Sequence, residues 1–330
     1  MCIKPLTIQN PGTKWTTAKS IQIPCGKCIE CKIRYQNQWM IRLYEEAKCH
    51  KHILFITLTY NEQKVPFYLD KNTGQIFRTV YKDHIQKALK RFRINRERHL
   101  KQDATPFKYF ITSEYGPSTY RPHYHGVIFG LSRMDFLPFL NDWRKNYGFF
   151  KCTVVKSFDD RHKLNACRYV AKYCSKGEFE CPYVEQGKVN KTFHLISKRL
   201  GYGYINKLRK WHLSSIFHRF DSKHRFTSEY LDDILSRKNY QMGSFCYQLP
   251  RYYSNKIYGE QSRLSAALSD YQRKKFDDAL VRELALIQSQ RNCTETEAFN
   301  IYTNIQNEIH TLRYSKAKKR FQAFLTKSQI

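Results

Sequence analysis

Apolar residues fall into short runs in the middle of the chain, and these runs alternate with segments of helical spacing. Residues 52–60, 108–115, 123–129 and 149–155 are rich in β-branched and aromatic residues, which is typical of strands. Segments with apolar residues at helical spacing and many charges between them are 81–100, 134–147 and 161–176. The pattern predicts the order β-α-β-β-α-β-α.

The first six predicted elements match the split βαβ, or ferredoxin-like, plan, in which helices pack on an antiparallel sheet. The predicted fold class is α+β, with a ferredoxin-like core, a Cys-rich N-terminal segment and a helical C-terminal region. Helical patterning rich in charge runs from about residue 260 to 324. The predicted domains are residues 1–50 (Cys-rich segment), 51–224 (α+β core) and 225–330 (mainly helical region).

Composition adds a strong positive charge to this picture. The 330 residues contain 58 Lys and Arg but 28 Asp and Glu, a formal net charge of +30. Such a field concentrates polyanions, and nucleic acid is the first candidate because binding releases its condensed counterions. An acidic membrane surface is the rival, but no run approaches the ~20 apolar residues of a membrane span. The opening residues lack the apolar core of a secretory signal, so we expect an intracellular protein without a membrane partner.

Two histidines stand in the segment Arg121-Pro122-His123-Tyr124-His125-Gly126. Residues i and i+2 of a strand point to one face, so His123 and His125 present two imidazoles side by side. Glu114 ends the preceding predicted strand and can reach the same point across the turn. Two histidines and a carboxylate leave open positions on Mg²⁺ or Mn²⁺, which suits a phosphodiester substrate. The alternatives are an exposed histidine pair without metal, and a salt bridge between Glu114 and a nearby Arg or Lys.

A tyrosine pair lies on the last predicted core helix. Tyr169 and Tyr173 are four residues apart and therefore share a helix face. Each has a lysine three residues later, Lys172 and Lys176, which can stabilise negative charge on an attacked phosphate. The alternative is an amphipathic helix whose tyrosines only pack on the sheet.

Cysteines form a third candidate site near the N-terminus. Cys25, Cys28 and Cys31 are separated by two residues each, and Cys2 can return to complete four thiolates. A tetrahedral Zn²⁺ ion fits such a set. An iron–sulfur cluster and reduced free thiols remain alternatives at this point.

Together these residues resemble the HUH endonuclease superfamily, and more closely the replication initiators of the Microviridae, in their gokushovirus branch. The resemblance rests on the segments FITLTY (55–60), SEYG (113–116), RPHYHGVIFG (121–130), YVAKYCSK (169–176) and the early PCGKC (24–28), and it covers about residues 20–205. It implies an HUH core in which two tyrosines serve the DNA cleavage chemistry.

The resemblance also implies an activity. The initiator nicks one strand of phage DNA at the origin, and Tyr169 or Tyr173 takes the 5′ phosphate as a phosphotyrosine before the strand is rejoined. The implied partners are single-stranded and duplex origin DNA, a host DNA polymerase and a host helicase in the bacterial cytoplasm. A separate helicase agrees with the lack of a Walker A motif in the sequence. The alternatives are a transposase-type nuclease of the same superfamily and a zinc-containing nucleic-acid-binding protein without catalysis.

Overall fold

Strands and helices alternate through most of the chain in the computed structural model, which describes residues 2, 5–9, 20–100, 106–116, 118–155, 160–176, 181–259 and 262–326. The strands are β1 Leu6–Gln9, β2 Ser20–Ile23, β3 Ile53–Tyr60, β4 Phe67–Leu69, β5 Ile76–Arg78, β6 Lys108–Tyr115, β7 Pro122–Phe129, β8 Gly148–Val154, β9 His194–Ile196, β10 Asn239–Met242 and β11 Phe245–Gln248. The helices are α1 Ile29–Ala47, α2 Lys82–Leu100, α3 Arg133–Asn146, α4 Asp160–Lys176, α5 Pro182–Glu185, α6 Gly203–Leu213, α7 Ser228–Ser236, α8 Arg251–Tyr258, α9 Ser262–Arg291 and α10 Glu295–Thr326.

A five-stranded antiparallel sheet carries the predicted core. Its strand order is β8-β3-β7-β6-β9. Numbered by their order in the chain, the four long strands lie 4-1-3-2, with β9 added at the edge beside β6. This is the topology that the β-α-β-β-α-β pattern predicts, so the α+β fold class is confirmed.

One face of the sheet is packed by α2 and α3. Alternate residues of β3 and β7, such as Leu58 and Tyr124, are fully buried there and join one apolar cluster with Phe92 of α2 and Trp143 of α3. Helix α3 begins at a capping box, in which Ser132 and Asp135 satisfy each other's backbone N–H groups. The Trp143 indole N–H also donates to the Thr59 carbonyl at 3.2 Å, which fixes α3 on the sheet.

The opposite face carries the polar side chains of the candidate site and is covered by α1 and α4. Trp39 of α1 packs on Phe110 of β6, with ring centres 5.0 Å apart. Tyr173 of α4 packs on His125 of β7. Helices thus lie on both faces, whereas the ferredoxin-like plan predicted them on the sheet without deciding how they divide.

Contacts divide the chain into two compact units, Tyr35–Lys207 and the joined segments Met1–Arg34 and Leu208–Ile330. The first unit contains the sheet and α4. The second contains the β1–β2 and β10–β11 hairpins and the long helices α9 and α10, which confirm the helical patterning near the C-terminus. The domain limits at residues 50 and 224 stay a prediction, since compactness does not establish functional independence. Among the described residues, no helix has both the length and the apolar content needed to cross a membrane.

Gly126 is the point of closest packing in the centre of the sheet. A Cβ atom at this position would lie 2.9 Å from Cγ1 of Ile111 and 3.2 Å from Cγ1 of Ile56. These residues flank Gly126 on the two neighbouring strands. We therefore expect Gly126→Ala to destabilise the protein by about 1–3 kcal/mol, as overpacked cores do. Thermal unfolding measures this, with Met134→Ala at a 73% exposed position as the control. Equal melting temperatures for the two variants would contradict this packing.

Candidate active site

The pairing of three strands brings the predicted metal ligands to one face of the sheet. His123 of β7 is opposite Glu114 of β6, and His125 of β7 is opposite Thr112 of β6 on one side and Thr57 of β3 on the other. Side chains of directly paired residues point to the same face of a sheet. The strand register therefore produces two adjacent polar rows at the centre of this face.

Glu114 and His125 are in direct contact. The Oε2 atom of Glu114 lies 3.1 Å from Nε2 of His125, and both residues are buried, with 5% and 8% of their surface exposed. Neighbouring ligands on an octahedral ion with bonds of about 2.1 Å are about 3.0 Å apart. The spacing of these two atoms fits a shared metal ion, and it also fits a hydrogen bond between them.

His123 is oriented by its own strand. Its Nδ1 atom lies 2.7 Å from the carbonyl oxygen of Arg121, which can only accept, so Nδ1 carries the proton and Nε2 keeps its lone pair. Burial lowers the pKa of His123, and the nearby His125 lowers it further, which favours the neutral form that binds metals. Gly116 leaves room for this ring, since a Cβ there would lie 3.2 Å from His123 Cε1.

Thr57 is a site residue that the sequence analysis did not identify. Its hydroxyl oxygen lies 3.1 Å from Nδ1 of His125. An imidazole that uses Nε2 as a ligand must satisfy its Nδ1–H elsewhere, and such partners fix the ring and its tautomer. The available signal was the position of Thr57 within FITLTY, but its pairing with His125 depends on the strand register.

The donor chemistry fits a divalent ion. Two imidazole nitrogens and one carboxylate oxygen suit Mn²⁺ better than Mg²⁺, which prefers an all-oxygen shell. Glu114, His123 and His125 are the residues that would hold it. The structure joins Glu114 to His125 directly, and it holds His123 on the same face through Arg121.

Both predicted tyrosines lie against the histidine side of this face. The ring of Tyr173 stacks on His125 with centres 4.4 Å apart and planes at 14°, and the ring of Tyr169 is 5.9 Å from His125. The Tyr173 hydroxyl donates to the Tyr169 hydroxyl oxygen at 2.7 Å. The alternative of tyrosines that only pack is therefore incomplete, because the two hydroxyl groups also form a polar pair beside His125.

The two tyrosines differ in access. Tyr173 is buried, with 5% of its surface exposed, whereas Tyr169 is half-buried. Tyr169 also borders an open, mainly apolar groove of about 460 Å³. The groove is lined by Phe55, Thr153, Val154, His162, Ala166 and Tyr169, among others. A ligand in this groove reaches Tyr169 without displacing Tyr173.

The two predicted lysines have different standing in the structure. Lys172 is buried, and its Nζ lies 5.9 Å from the ring centre of Tyr173. The backbone carbonyl of Lys172 accepts a hydrogen bond from Gln36 of α1, which ties the tyrosine helix to its neighbour. The side chain of Lys176 lies outside the described part of the structure.

The four predicted cysteines converge in the other compact unit. The Sγ atoms of Cys2, Cys25, Cys28 and Cys31 all lie within 4.8 Å of one another. Backbone N–H groups of Cys28 and Lys27 lower the pKa of Cys25 to about 6, whereas burial raises the pKa of Cys31 to about 12. The structure therefore brings together the complete set that the sequence predicted, including Cys2.

Comparison with known proteins agrees with this arrangement. Residues 53–178 match the family model of the replication-associated protein ORF2. The chain is 29% identical to Replication-associated protein ORF2 of Spiroplasma virus 4 over 162 residues, 47% of this chain and 48% of that protein. It is 32% identical to Replication-associated protein VP4 of Bdellovibrio phage phiMH2K over 128 residues, 39% of this chain and 36% of that protein. No solved structure matches the chain.

These matches confirm the resemblance to replication proteins of small phages. The matched region runs from β3 to just past α4 and so includes all the residues predicted for DNA cleavage. The four cysteines lie outside the family match. The chain spans about half the length of the first relative and about a third of the second.

Thr57→Val tests the positioning of His125. Valine keeps the shape of threonine but cannot bond Nδ1, so we expect the affinity for Mn²⁺ to fall by about 10–100-fold. Calorimetric titration with Mn²⁺ measures this, and Thr57→Ser should restore most of the affinity because serine keeps the hydroxyl. Thr311→Val on the exposed surface of α10 is the matched control. Equal affinities for Thr57→Val and the wild type would rule out this role.

Proposed function

We propose that the chain is a rolling-circle replication initiator that nicks and rejoins one strand of phage DNA through a 5′-phosphotyrosine. One observation carries the proposal: a hydrogen-bonded tyrosine pair packed on a buried carboxylate–histidine pair. Similarity to two replication-associated proteins of phages supports the biological setting.

The residues can divide the cleavage reaction between them. A divalent ion held by Glu114, His123 and His125 would polarise a phosphoryl oxygen of the scissile phosphate. The phenolic oxygen of Tyr169 then attacks phosphorus, and the bond from phosphorus to the 3′ oxygen breaks. The phenol loses its proton and the departing 3′ oxygen gains one. The products are a 5′-phosphotyrosine and a free 3′-hydroxyl.

Tyr169 is the proposed first nucleophile. It borders the open groove, whereas the Tyr173 ring is buried against His125. Tyr173 donates a hydrogen bond to the oxygen that must become negative, and such a donor stabilises developing charge. Buried Lys172 adds a positive charge 5.9 Å from the Tyr173 ring centre. Tyr173 is then available for a second cleavage, which rejoining a circle requires.

The proposal extends to the substrate and the partners. A net charge of +30 supplies the electrostatic attraction for single-stranded and duplex DNA at the origin. A host DNA polymerase would extend the free 3′ end. A host helicase would unwind the duplex, since the sequence has no Walker A motif. These reactions would take place in the cytoplasm of the host bacterium.

Single tyrosine variants test the order of attack. The purified chain is mixed with Mn²⁺ and short single-stranded DNAs that tile both strands of the phage genome encoding it. Covalent adducts are then separated on a denaturing gel. Tyr169→Phe should abolish the first adduct. Tyr173→Phe should keep an adduct at a reduced rate, because the donated hydrogen bond is lost, and should fail to transfer the bound strand to a second one.

Tyr314→Phe, at an exposed position in α10, is the control and should behave like the wild type. An adduct of normal yield with Tyr169→Phe and none with Tyr173→Phe would reverse the assignment. A normal adduct with both tyrosines replaced would end the tyrosine mechanism.

Removing a metal ligand should separate cleavage from binding. We expect His125→Ala to slow cleavage by at least about 100-fold, since the charge on the attacked phosphate loses its stabilisation. Binding of DNA should stay close to that of the wild type, because contacts with phosphates dominate it. Fluorescence anisotropy with labelled single-stranded DNA measures binding, and the nicking assay measures cleavage.

The runner-up function is nucleic-acid binding without catalysis, which the charge and the cysteine cluster favour. Folded wild-type protein that binds all the tiled DNAs but cleaves none, with either Mn²⁺ or Mg²⁺, would support it. Loss of both binding and cleavage in His125→Ala would instead assign His125 to folding, and circular dichroism detects that outcome.

A further inference from the structure

We propose that Cys2, Cys25, Cys28 and Cys31 bind one structural Zn²⁺ ion as four thiolates. This site lies outside residues 53–178, the region that matches the family of replication proteins. It is independent of the proposed cleavage chemistry, whose residues are all in the other compact unit.

The spacing of the sulfur atoms fits a single tetrahedral ion. Zn–S bonds of about 2.3 Å at tetrahedral angles place two sulfurs about 3.8 Å apart. The Sγ atoms of Cys2 and Cys28 are 3.8 Å apart, and all four lie within 4.8 Å of one another. A disulfide is a different arrangement, since its sulfurs are separated by about 2.05 Å.

Convergence also argues against an iron–sulfur cluster. In a cluster each cysteine binds a different iron atom, so the sulfurs lie further apart than around one ion. Four sulfurs within 4.8 Å surround a point rather than a cluster. A single ion with four thiolate ligands is the common form of a structural zinc site.

Backbone N–H groups are already turned towards the sulfurs. The N–H of Cys25 donates to Sγ of Cys2 at 3.2 Å, and the N–H of Cys28 donates to Sγ of Cys25 at 3.4 Å. These bonds stabilise negative charge on the thiolates of a metal site. Gly26 has φ of +73°, a left-handed conformation that favours glycine and lets the chain turn between Cys25 and Cys28.

The local structure needs such a clip. The β1–β2 hairpin has four residues in each strand, and an isolated two-stranded hairpin is marginal in water. Leu6 and Ile8 of β1 are 52% and 38% exposed, so little apolar burial holds this strand. A Zn²⁺ ion would join Cys2, before β1, to the loop after β2 and to Cys31 in α1. Metal binding then supplies folding free energy that the hairpin lacks.

Metal content of the full-length chain is the first test. We expect one Zn²⁺ per chain, by mass spectrometry of metals, after purification without added metal. A mercurial reagent added to the wild-type chain should release this ion in step with the modification of four thiols. Replacement by Co²⁺ should give the strong visible absorption and sulfur charge-transfer bands of a tetrahedral thiolate site.

Variants locate the site. Cys28→Ser should weaken zinc binding by more than the about 10–100-fold that loss of a supporting group costs. Cys246→Ser is the matched control, because Cys246 is an exposed cysteine in β11 of the same compact unit. If Cys28→Ser does not fold, the wild-type mercurial titration still decides. Stoichiometric iron in place of zinc, thiols that react without releasing metal, or equal zinc loss from both variants would each overturn the proposal.

Discussion

The register of β7 between β6 and β3 is the constraint on which the candidate active site depends. It places His125 between Thr57 and Thr112, and His123 opposite Glu114. A slip of one residue would turn these side chains to the opposite face of the sheet, into the apolar core. Gly126 secures this register because neither neighbouring strand leaves space for a side chain there. The site is thus as rigid as the sheet that holds it.

Tyr173 links the stability of the fold to the proposed chemistry. Its ring stacks on His125 and helps to hold α4 on the sheet, while its hydroxyl supports Tyr169. The resting arrangement therefore favours attack by Tyr169. For Tyr173 to attack in turn, its ring must leave His125, and that contact must be weak enough to open. A phosphotyrosine at Tyr169 removes the hydroxyl pair, so the first step of the reaction itself releases one restraint on Tyr173.

Sequence patterns predicted the long elements and the chemical groups of the site, because strand and helix periodicities are local. The four long strands, α2, α3 and α4 all appear where alternation or helical spacing placed them. Short strands such as β4 and β9, with three residues each, contain too little pattern to be found, and β9 forms only by pairing with β6. Thr57 was missed for a related reason. Its role depends on which residue of another strand lies opposite, and no local pattern states that.

If both proposed metal sites are correct, the protein must keep two ions of different chemistry apart. The cysteine site discriminates by itself, since four thiolates select Zn²⁺ over harder ions such as Mn²⁺. The site at Glu114, His123 and His125 does not, because imidazole ligands bind Zn²⁺ more strongly than Mn²⁺. Affinity alone would therefore load it with zinc. Its identity must instead follow from the supply of metals in the cell and from the DNA phosphate, whose oxygens add hard ligands that favour Mn²⁺ or Mg²⁺. The substrate is then part of the metal selection, which ties full assembly of the active site to bound DNA.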